Sequence, residues 1–530
     1  MSKMTNKIWS AIFAVSAAAF LVAAATQGQN PLPGPLSPPG GESAQSPKLA
    51  CADLRSLTSY GFTIESATLI PASNDVAEYC RVKGQILPEI RFEVNLPASW
   101  NRRFYMSGNG GYAGESLDAP QRAAARAAAV RRGFASAATD TGHDASVEPL
   151  ATFAQNRQKL YDYAFRSLHT TAETAKQIIT AYYGVKPTRS YFEGCSTGGR
   201  QALILAQRFP EDFDGIVAGA PVLNFTGTMV GYTKIAQALA AAPVPYSKLS
   251  LLADRIYTQC DEKDGVKDGL IDDPRRCDFR PARDLPKCAG GDDKPDCFTA
   301  AQIGTLEKIY GDVMSRGERI FPGWPVSAEV AGPNGRSGWD NWLINERGQQ
   351  TISVSFAESF FRYMAFSDKN QKLDLASFDF EKDPSRLEWI HNVLDATDTD
   401  LLRFKNRGGK LLMYFGWADP ALNAQMGVDY YESVLGRMGA TTPSFFRLFM
   451  VPGMFHCAGG VGCSNFDKVT PLVQWVEQGT APERIVGSRT ASGRPARTRP
   501  LCPYPQVAKY NGSGSIDDAA NFTCAAPPAK

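Results

Sequence analysis

The sequence predicts an α/β architecture: a mostly parallel sheet covered on both faces by helices, with one long insertion. Three observations predict it. Strand-like and helix-like segments alternate from about residue 90 to residue 220, and the alternation returns at 410–452. Gly194-Cys195-Ser196-Thr197-Gly198 lies where a strand pattern gives way to a helix pattern. Between residues 223 and 395 the alternation loosens into helical pieces, loops and a tryptophan-rich stretch (Trp324, Trp339, Trp342), as an inserted lid would.

The elements follow in order. Lys3 and Lys7, an apolar run from Ile8 to about Ala25 and the small residues Ala23, Ala24 and Ala25 read as a secretory signal over 1–25. The alternative is a membrane anchor, but the small-residue end and the Pro/Gly/Ser-rich segment that follows favour cleavage. No other stretch approaches the ~18 apolar residues of a membrane span. Residues 26–48 read as a flexible lead-in with no core of its own. The catalytic domain is expected over 49–222 and 396–530, with the lid over 223–395. Ile90–Leu96 alternates as a half-buried strand, and Asn101–Met106 is a second strand leading into the glycine-rich Ser107–Gly114. Phe134–Thr139 reads as a buried strand. A long helix follows, with Leu160, Tyr163, Ala164, Leu168, Ala172 and Ile178 at helical spacing. Ser190–Gly194 is a strand, Gly199–Phe209 a helix stopped by Pro210, and Gly215–Ala220 a short buried strand. Lys410–Gly416 and Phe445–Pro452 resume the pattern.

Composition excludes several classes. A net charge of +2 gives no reason to expect nucleic acid or an anionic membrane as partner. Eleven cysteines in an exported chain imply disulfides, and the odd count leaves at least one thiol over or paired between chains. No C-x-x-C or H-x-x-x-H spacing points to zinc. Oligomeric state is not legible in the sequence.

The glycines around Ser196 permit a tight elbow, and the helix that follows aims N–H groups and a positive dipole end at developing negative charge. A serine nucleophile needs a base. The chain has four histidines, His143, His169, His391 and His456. His456 lies in a loop just after a predicted strand near the C-terminus. Cys195 precedes Ser196 and Cys457 follows His456, which suggests a disulfide holding nucleophile beside base. The orienting carboxylate should lie between them at a strand end. Asp419, in Phe415-Gly416-Trp417-Ala418-Asp419-Pro420, fits; a plain turn aspartate is the alternative, and Asp429 is a weaker rival inside a predicted helix. The order Ser, Asp, His is that of α/β-hydrolases. An oxyanion hole is expected from the N–H of Thr197 and an N–H from Gly110 or Gly111. A phosphate-cradling loop is the weaker reading, because no G-K-[ST] ending follows the glycines.

A second constellation is Cys260-Asp261-Glu262-Lys263-Asp264-Gly265-Val266-Lys267-Asp268-Gly269-Leu270. Asp261, Asp264 and Asp268, with carbonyls from Val266 and Leu270, suit a structural hard cation such as Ca2+. The spacing is not that of an EF-hand, and a solvated acidic turn reads equally well.

These residues together resemble the tannase/feruloyl esterase family over essentially the whole mature chain. The most specific parts are Gly194–Arg200, Cys260–Leu270 and Pro452-Gly453-Met454-Phe455-His456-Cys457. The resemblance implies an α/β-hydrolase core with a large lid between nucleophile and acid, calcium in the lid, and a disulfide joining the cysteines beside serine and histidine. It implies the pairs Cys51–Cys80, Cys195–Cys457, Cys260–Cys277, Cys288–Cys297 and Cys502–Cys524, with Cys463 left over. It further implies a secreted or periplasmic serine esterase that cleaves small esters of aromatic acids of the feruloyl or galloyl kind through an acyl-enzyme. A terephthalate monoesterase is the alternative; a serine peptidase and a non-catalytic calcium-dependent binding protein are competing readings. Trp339, Trp342, Phe356 and Phe360, with Phe361, are the candidates to stack on a substrate ring, each with core packing as its alternative.

Overall fold

A computed structural model describes residues 34–527, apart from 74–75, 330–337, 367–370, 372 and 492–493. The predicted signal over 1–25 lies outside the described residues.

The centre is a nine-stranded sheet in the order β1-β2-β3-β5-β4-β6-β7-β10-β11. Its strands are β1 (Phe62–Ile70), β2 (Tyr79–Ile86), β3 (Ile90–Pro97), β4 (Arg103–Ser107), β5 (Ala135–Thr139), β6 (Arg189–Cys195), β7 (Gly215–Gly219), β10 (Lys410–Gly416) and β11 (Phe446–Val451). From β5 to β11 all neighbours are parallel; β1, β2 and β3 join antiparallel at one edge. The period of two along each strand divides its side chains between two cores. Phe192, Ile216, Leu411, Met413, Phe446 and Leu448 enter the core on one face. Tyr191, Val217, Leu412, Tyr414, Phe449 and Val451 enter the core on the other, under the helix Val469–Gln478. Burial on both faces explains why these strands read as continuous apolar runs.

β1 and β2 escaped the sequence reading. β2 alternates faithfully, but two of its four inward positions are Cys80 and Gly84, which dilutes the hydrophobic signal. The two C-terminal ribbons, β12 (Ile485–Ala491) with β13 (Arg494–Leu501) and β14 (Val507–Tyr510) with β15 (Phe522–Ala525), were also unread. The lead-in is a correction: its described part is strapped to the sheet. Gln45 and Trp100 exchange backbone hydrogen bonds of 2.7 and 3.0 Å, and Arg103 Nη1 donates to the Ser37 carbonyl at 2.6 Å. Composition identified a segment that builds no core, but a segment can still be held by a core it does not build. The long helix is present, with a π-turn inside it. It runs as Arg157–Tyr161, a π-turn over Asp162–Arg166, and Ser167–Tyr183.

Between β7 and β10 lies the insertion. Its helix Phe225–Ala241 packs against Ala300–Tyr310 and Ile352–Tyr363, beside a small ribbon of β8 (Val313–Ser315) and β9 (Glu318–Phe321). Phe225, Trp339 and Phe360 belong to the same apolar cluster as Phe104 and Phe192 of the sheet. The insertion therefore shares the sheet's core.

Candidate active site

Ser196 sits between the end of β6 and the helix Thr197–Arg208, with φ 64° and ψ −121°. That conformation is costly for a residue with a Cβ. It is held by the Ser196 N–H donating to the Gly219 carbonyl at 3.0 Å and by the helix beyond it. Close approach is possible only without side chains nearby. A Cβ on Gly194 would lie 2.5 Å from the backbone of Gly198, and one on Gly108 2.8 Å from the Gly198 Cα. The glycine-rich loop thereby packs directly on the elbow. Gln201, on the first turns of the helix, accepts the Asn109 N–H at 2.9 Å and donates to the Asn109 side chain at 3.2 Å.

Asp419 lies just past β10 and His456 just past β11, neighbouring parallel strands. His456 Nδ1 is 2.8 Å from Asp419 Oδ2. The other carboxylate oxygen accepts the N–H groups of Ala421 and Leu422, each at 2.9 Å. The Asp419 side chain is fully buried. Gly416 allows the two loops to meet, since a Cβ there would stand 2.2 Å from the Met454 carbonyl oxygen. A histidine–aspartate pair is not by itself diagnostic here. His169 pairs with Asp212 and His391 with Asp395, both at 2.8 Å. His143 is stacked on Phe153, and burial pushes it down to about 4, so it stays neutral. Only His456 is tied to Ser196, through Cys195–Cys457 with Cα atoms 5.9 Å apart. With Nδ1 committed to Asp419, Nε2 is the nitrogen left for proton exchange.

All five cysteine pairs match those implied by the family resemblance, and Cys463 is free and buried. Replacing Cys195 and Cys457 together by serine is expected to lower the melting temperature. A bridge contributes roughly 2–4 kcal/mol, with long loops at the upper end, and this one spans 262 residues. A parallel fall in kcat is expected as the histidine loop loosens. Melting and kinetics identical to wild type would rule out the clamp.

The oxyanion expectation is narrowed. The Gly110 N–H already donates to Glu115 Oε1 at 2.7 Å, so Gly110 is removed as a donor and Gly111 remains. The Gly110 carbonyl accepts the Ala113 N–H at 2.9 Å, which fixes the peptide plane that carries the Gly111 N–H. The Gly111 carbonyl accepts from the Thr197 hydroxyl and from Tyr163 Oη, the latter at 3.2 Å. Thr197 is the first residue of its helix, where the N–H has no intrahelical partner. Tyr163, unread as a site residue, lies on the π-turn, whose Tyr163 and Ala164 carbonyls accept from the fully buried Arg200 at 3.2 and 3.0 Å.

The aromatic candidates divide. Trp342 stands edge-on to His456 at 5.6 Å between ring centroids and faces Phe356 at 6.5 Å; both are half-buried. Phe356 also meets Tyr112 at 4.8 Å, and its ring edge lies 3.6 Å from where a Gly111 Cβ would stand. Trp339, Phe360 and Phe361 are corrections: each is 0 % exposed within the core, so none presents a ring to a ligand. Phe356 and Phe360 lie on one helix, yet packing turns Phe356 to Trp342 and Phe360 to Phe225.

In the aspartate loop, Asp261 accepts the N–H groups of Asp268 and Gly269 at 3.2 and 3.0 Å. Asp264 accepts from Val266, and Asp268 from Leu270 and Arg499. Burial raises the Asp264 carboxyl to about 6 and that of Asp272, which the sequence reading omitted, to about 8; neighbouring carboxylates add to both shifts. Among the described residues no group of three or more His, Cys, Asp or Glu side chains is arranged to hold a metal ion. A cation here needs backbone carbonyls to complete its shell, as the Val266 and Leu270 positions would supply.

Residues 74–525 match the family described as tannase and feruloyl esterase. The chain is 36% identical to the mono(2-hydroxyethyl) terephthalate hydrolase of Piscinibacter sakaiensis, over 88% of this chain and 87% of that one. It is 38% identical to an uncharacterized esterase of Xanthomonas campestris, over 90% and 92%. The crystal structure of feruloyl esterase B from Aspergillus oryzae superposes with a TM-score of 0.78 at 26% identity, covering 90% of this chain and all of that one. On the sheet described above stand a strained serine elbow, a histidine paired with a buried aspartate and the disulfide between them: the chain is a carboxylic ester hydrolase of α/β-hydrolase fold and belongs to the tannase and feruloyl esterase family.

Proposed function

We propose that the protein is an exported serine esterase that cleaves esters of aromatic carboxylic acids through an acyl-enzyme. The observation that carries this reading is the Asp419–His456 pair clipped to the Ser196 elbow by Cys195–Cys457. His456 Nε2 takes the Ser196 proton as Oγ attacks the ester carbonyl. The N–H groups of Thr197 and Gly111 hold the resulting oxyanion. Collapse breaks the bond to the alcohol oxygen, which leaves with the proton from His456. Water then repeats the sequence on the acyl-enzyme and releases the acid. Asp419 keeps the imidazole in the productive tautomer and stabilises its cation.

Trp342, Phe356 and Tyr112 bring aromatic faces and edges to the space beside His456 and Gly111, which supports an aryl acyl group. The panel that tests this is methyl ferulate, methyl gallate, p-nitrophenyl acetate, a terephthalate monoester and a peptide amide. The terephthalate monoester is included because the Piscinibacter sakaiensis relative carries that activity in its name. Turnover of the aryl esters is expected, with the activated acetate as the positive control. Hydrolysis of the acetate with no turnover of any aryl ester would refute the aryl reading, and turnover of the peptide would point to a peptidase.

Export is supported by the signal-like residues 1–25 and by five disulfides, which persist in oxidising compartments. No helix among the described residues is long and apolar enough to cross a membrane. Calcium at Asp261, Asp264, Asp268 and the carbonyls of Val266 and Leu270 would be structural. Thorough chelation is expected to lower the melting temperature by a few degrees, since a ligand at about 100 to 1,000 times its Kd adds roughly 3–4 kcal/mol. Calcium, but not magnesium, should restore it. A melting temperature that ignores chelation would remove the cation from the reading.

A further inference from the structure

Beneath the glycine-rich loop lies an ion pair that the reaction chemistry leaves unused. Glu115 Oε1 accepts the Gly110 N–H at 2.7 Å, and its Oε2 accepts from Arg122 Nη2. Arg122, on the helix Pro120–Arg131, reaches back with Nη1 to the Gly108 carbonyl at 2.8 Å and to Ser107 Oγ at 3.3 Å. The Arg122 side chain is 7% exposed and that of Glu115 34%, so the guanidinium lies inside and the carboxylate caps it. The pair grips the loop on both sides of Asn109, at Gly108 and at Gly110.

The loop offers two successive glycine N–H groups, and an oxyanion needs one of them in a fixed direction. Because Gly110 has no side chain, nothing in the residue itself chooses between the two. Glu115 makes the choice. It accepts one N–H, the Ala113 N–H takes the Gly110 carbonyl, and the peptide plane bearing the Gly111 N–H is fixed between these two bonds. We propose that Glu115, held by Arg122, is the positioning residue of the oxyanion loop: it sequesters the Gly110 N–H so that the Gly111 N–H alone is presented to the transition state. The proposal rests on the serine-esterase reading above. An acceptor removed from Glu115 frees the Gly110 N–H, lets the loop sample other orientations and weakens the hole without touching substrate. The loss therefore falls on kcat, because an oxyanion exists only in the transition state and intermediates.

Glu115→Met keeps the side-chain bulk and removes the acceptor, whereas Glu115→Gln keeps a neutral carbonyl oxygen for Gly110. On methyl ferulate, Glu115→Met is expected to lose about 10- to 100-fold in kcat, up to the lower end of what removing one hole donor costs. KM should stay within about twofold. Glu115→Gln, which keeps an acceptor for Gly110 but sets its NH2 against the Arg122 guanidinium, should fall between Glu115→Met and wild type, and a fluorophosphonate that reacts through the same hole should inactivate the variants in the order of their kcat values. Wild-type kcat in Glu115→Met overturns the proposal. So does a rise in KM at constant kcat. If Glu115→Met does not fold, Arg122→Gln decides: lower kcat at an unchanged melting temperature supports the clamp, and wild-type kcat overturns it. Ser196→Ala in parallel separates the two levels. Activity surviving in Ser196→Ala defeats the serine-esterase reading itself, whereas an inactive Ser196→Ala beside a fully active Glu115→Met defeats only the positioning role.

Discussion

Replacing Ser196 by alanine is expected to reduce kcat by on the order of 10⁴- to 10⁶-fold, the range seen when the nucleophile of a serine hydrolase is removed. KM and melting temperature should change little, for a structural reason. The φ of 64° at Ser196 is strained for any residue bearing a Cβ, and alanine keeps the Cβ. Its N–H still donates to Gly219, and its carbonyl still accepts from Arg200 at 3.1 Å. The variant therefore loses Oγ and nothing else that the elbow uses. Steady-state kinetics with methyl ferulate, beside a thermal melt, make the measurement. A variant that retains a tenth of wild-type kcat would falsify the assignment of Ser196.

Asp419→Asn is expected to cost about 10⁴-fold in kcat, comparable to the same change in other serine triads. The geometry states how. One carboxylate oxygen accepts two backbone N–H groups, from Ala421 and Leu422, so the amide oxygen of asparagine must occupy that position. The amide nitrogen is then turned toward His456 Nδ1, 2.8 Å away in the native pair. It donates there, which places the imidazole proton on Nε2 and leaves no acceptor for the Ser196 proton. Nitrogen NMR of the labelled histidine should show the tautomer reversed, with KM nearly unchanged. Retained kcat, or an unaltered tautomer, would show that another carboxylate orients the ring.

How legible the molecule was in its sequence depends on the range over which each feature is decided. The parallel strands were readable because both faces are buried, so each is a local run of apolar residues whatever its neighbours. Toward the sheet edge the pattern weakens: β1 is unburied in its second half, and β2 is diluted by Cys80 and Gly84. Ser196 was readable because an elbow is a local object: a strand, glycines and a helix within a dozen residues. The choice between Gly110 and Gly111 was not, because it depends on Glu115 and Arg122, whose roles have no local signature. Trp342 and Trp339 are three residues apart and of one type, yet one borders His456 and the other lies wholly in the core. Periodicity sorts positions onto faces, but it does not state what each face meets.

The sequence by itself determined the alternation of strand and helix, the serine elbow, the histidine and aspartate that follow it in order, and, with the family resemblance, the cysteine pairs. The alternation and the elbow rest on residue type and short-range spacing, the aspartate and histidine on their order along the chain, and the cysteine pairs on the resemblance. Tertiary structure decided which histidine–aspartate pair of three is tied to the serine, which glycine N–H is left free, which aromatic rings border the site, and that the lead-in is strapped to the sheet. The physical reason is common to all four. Each is settled by packing and by hydrogen-bond partners chosen in the folded core, where most buried donors find an acceptor, and neither is written in residue type.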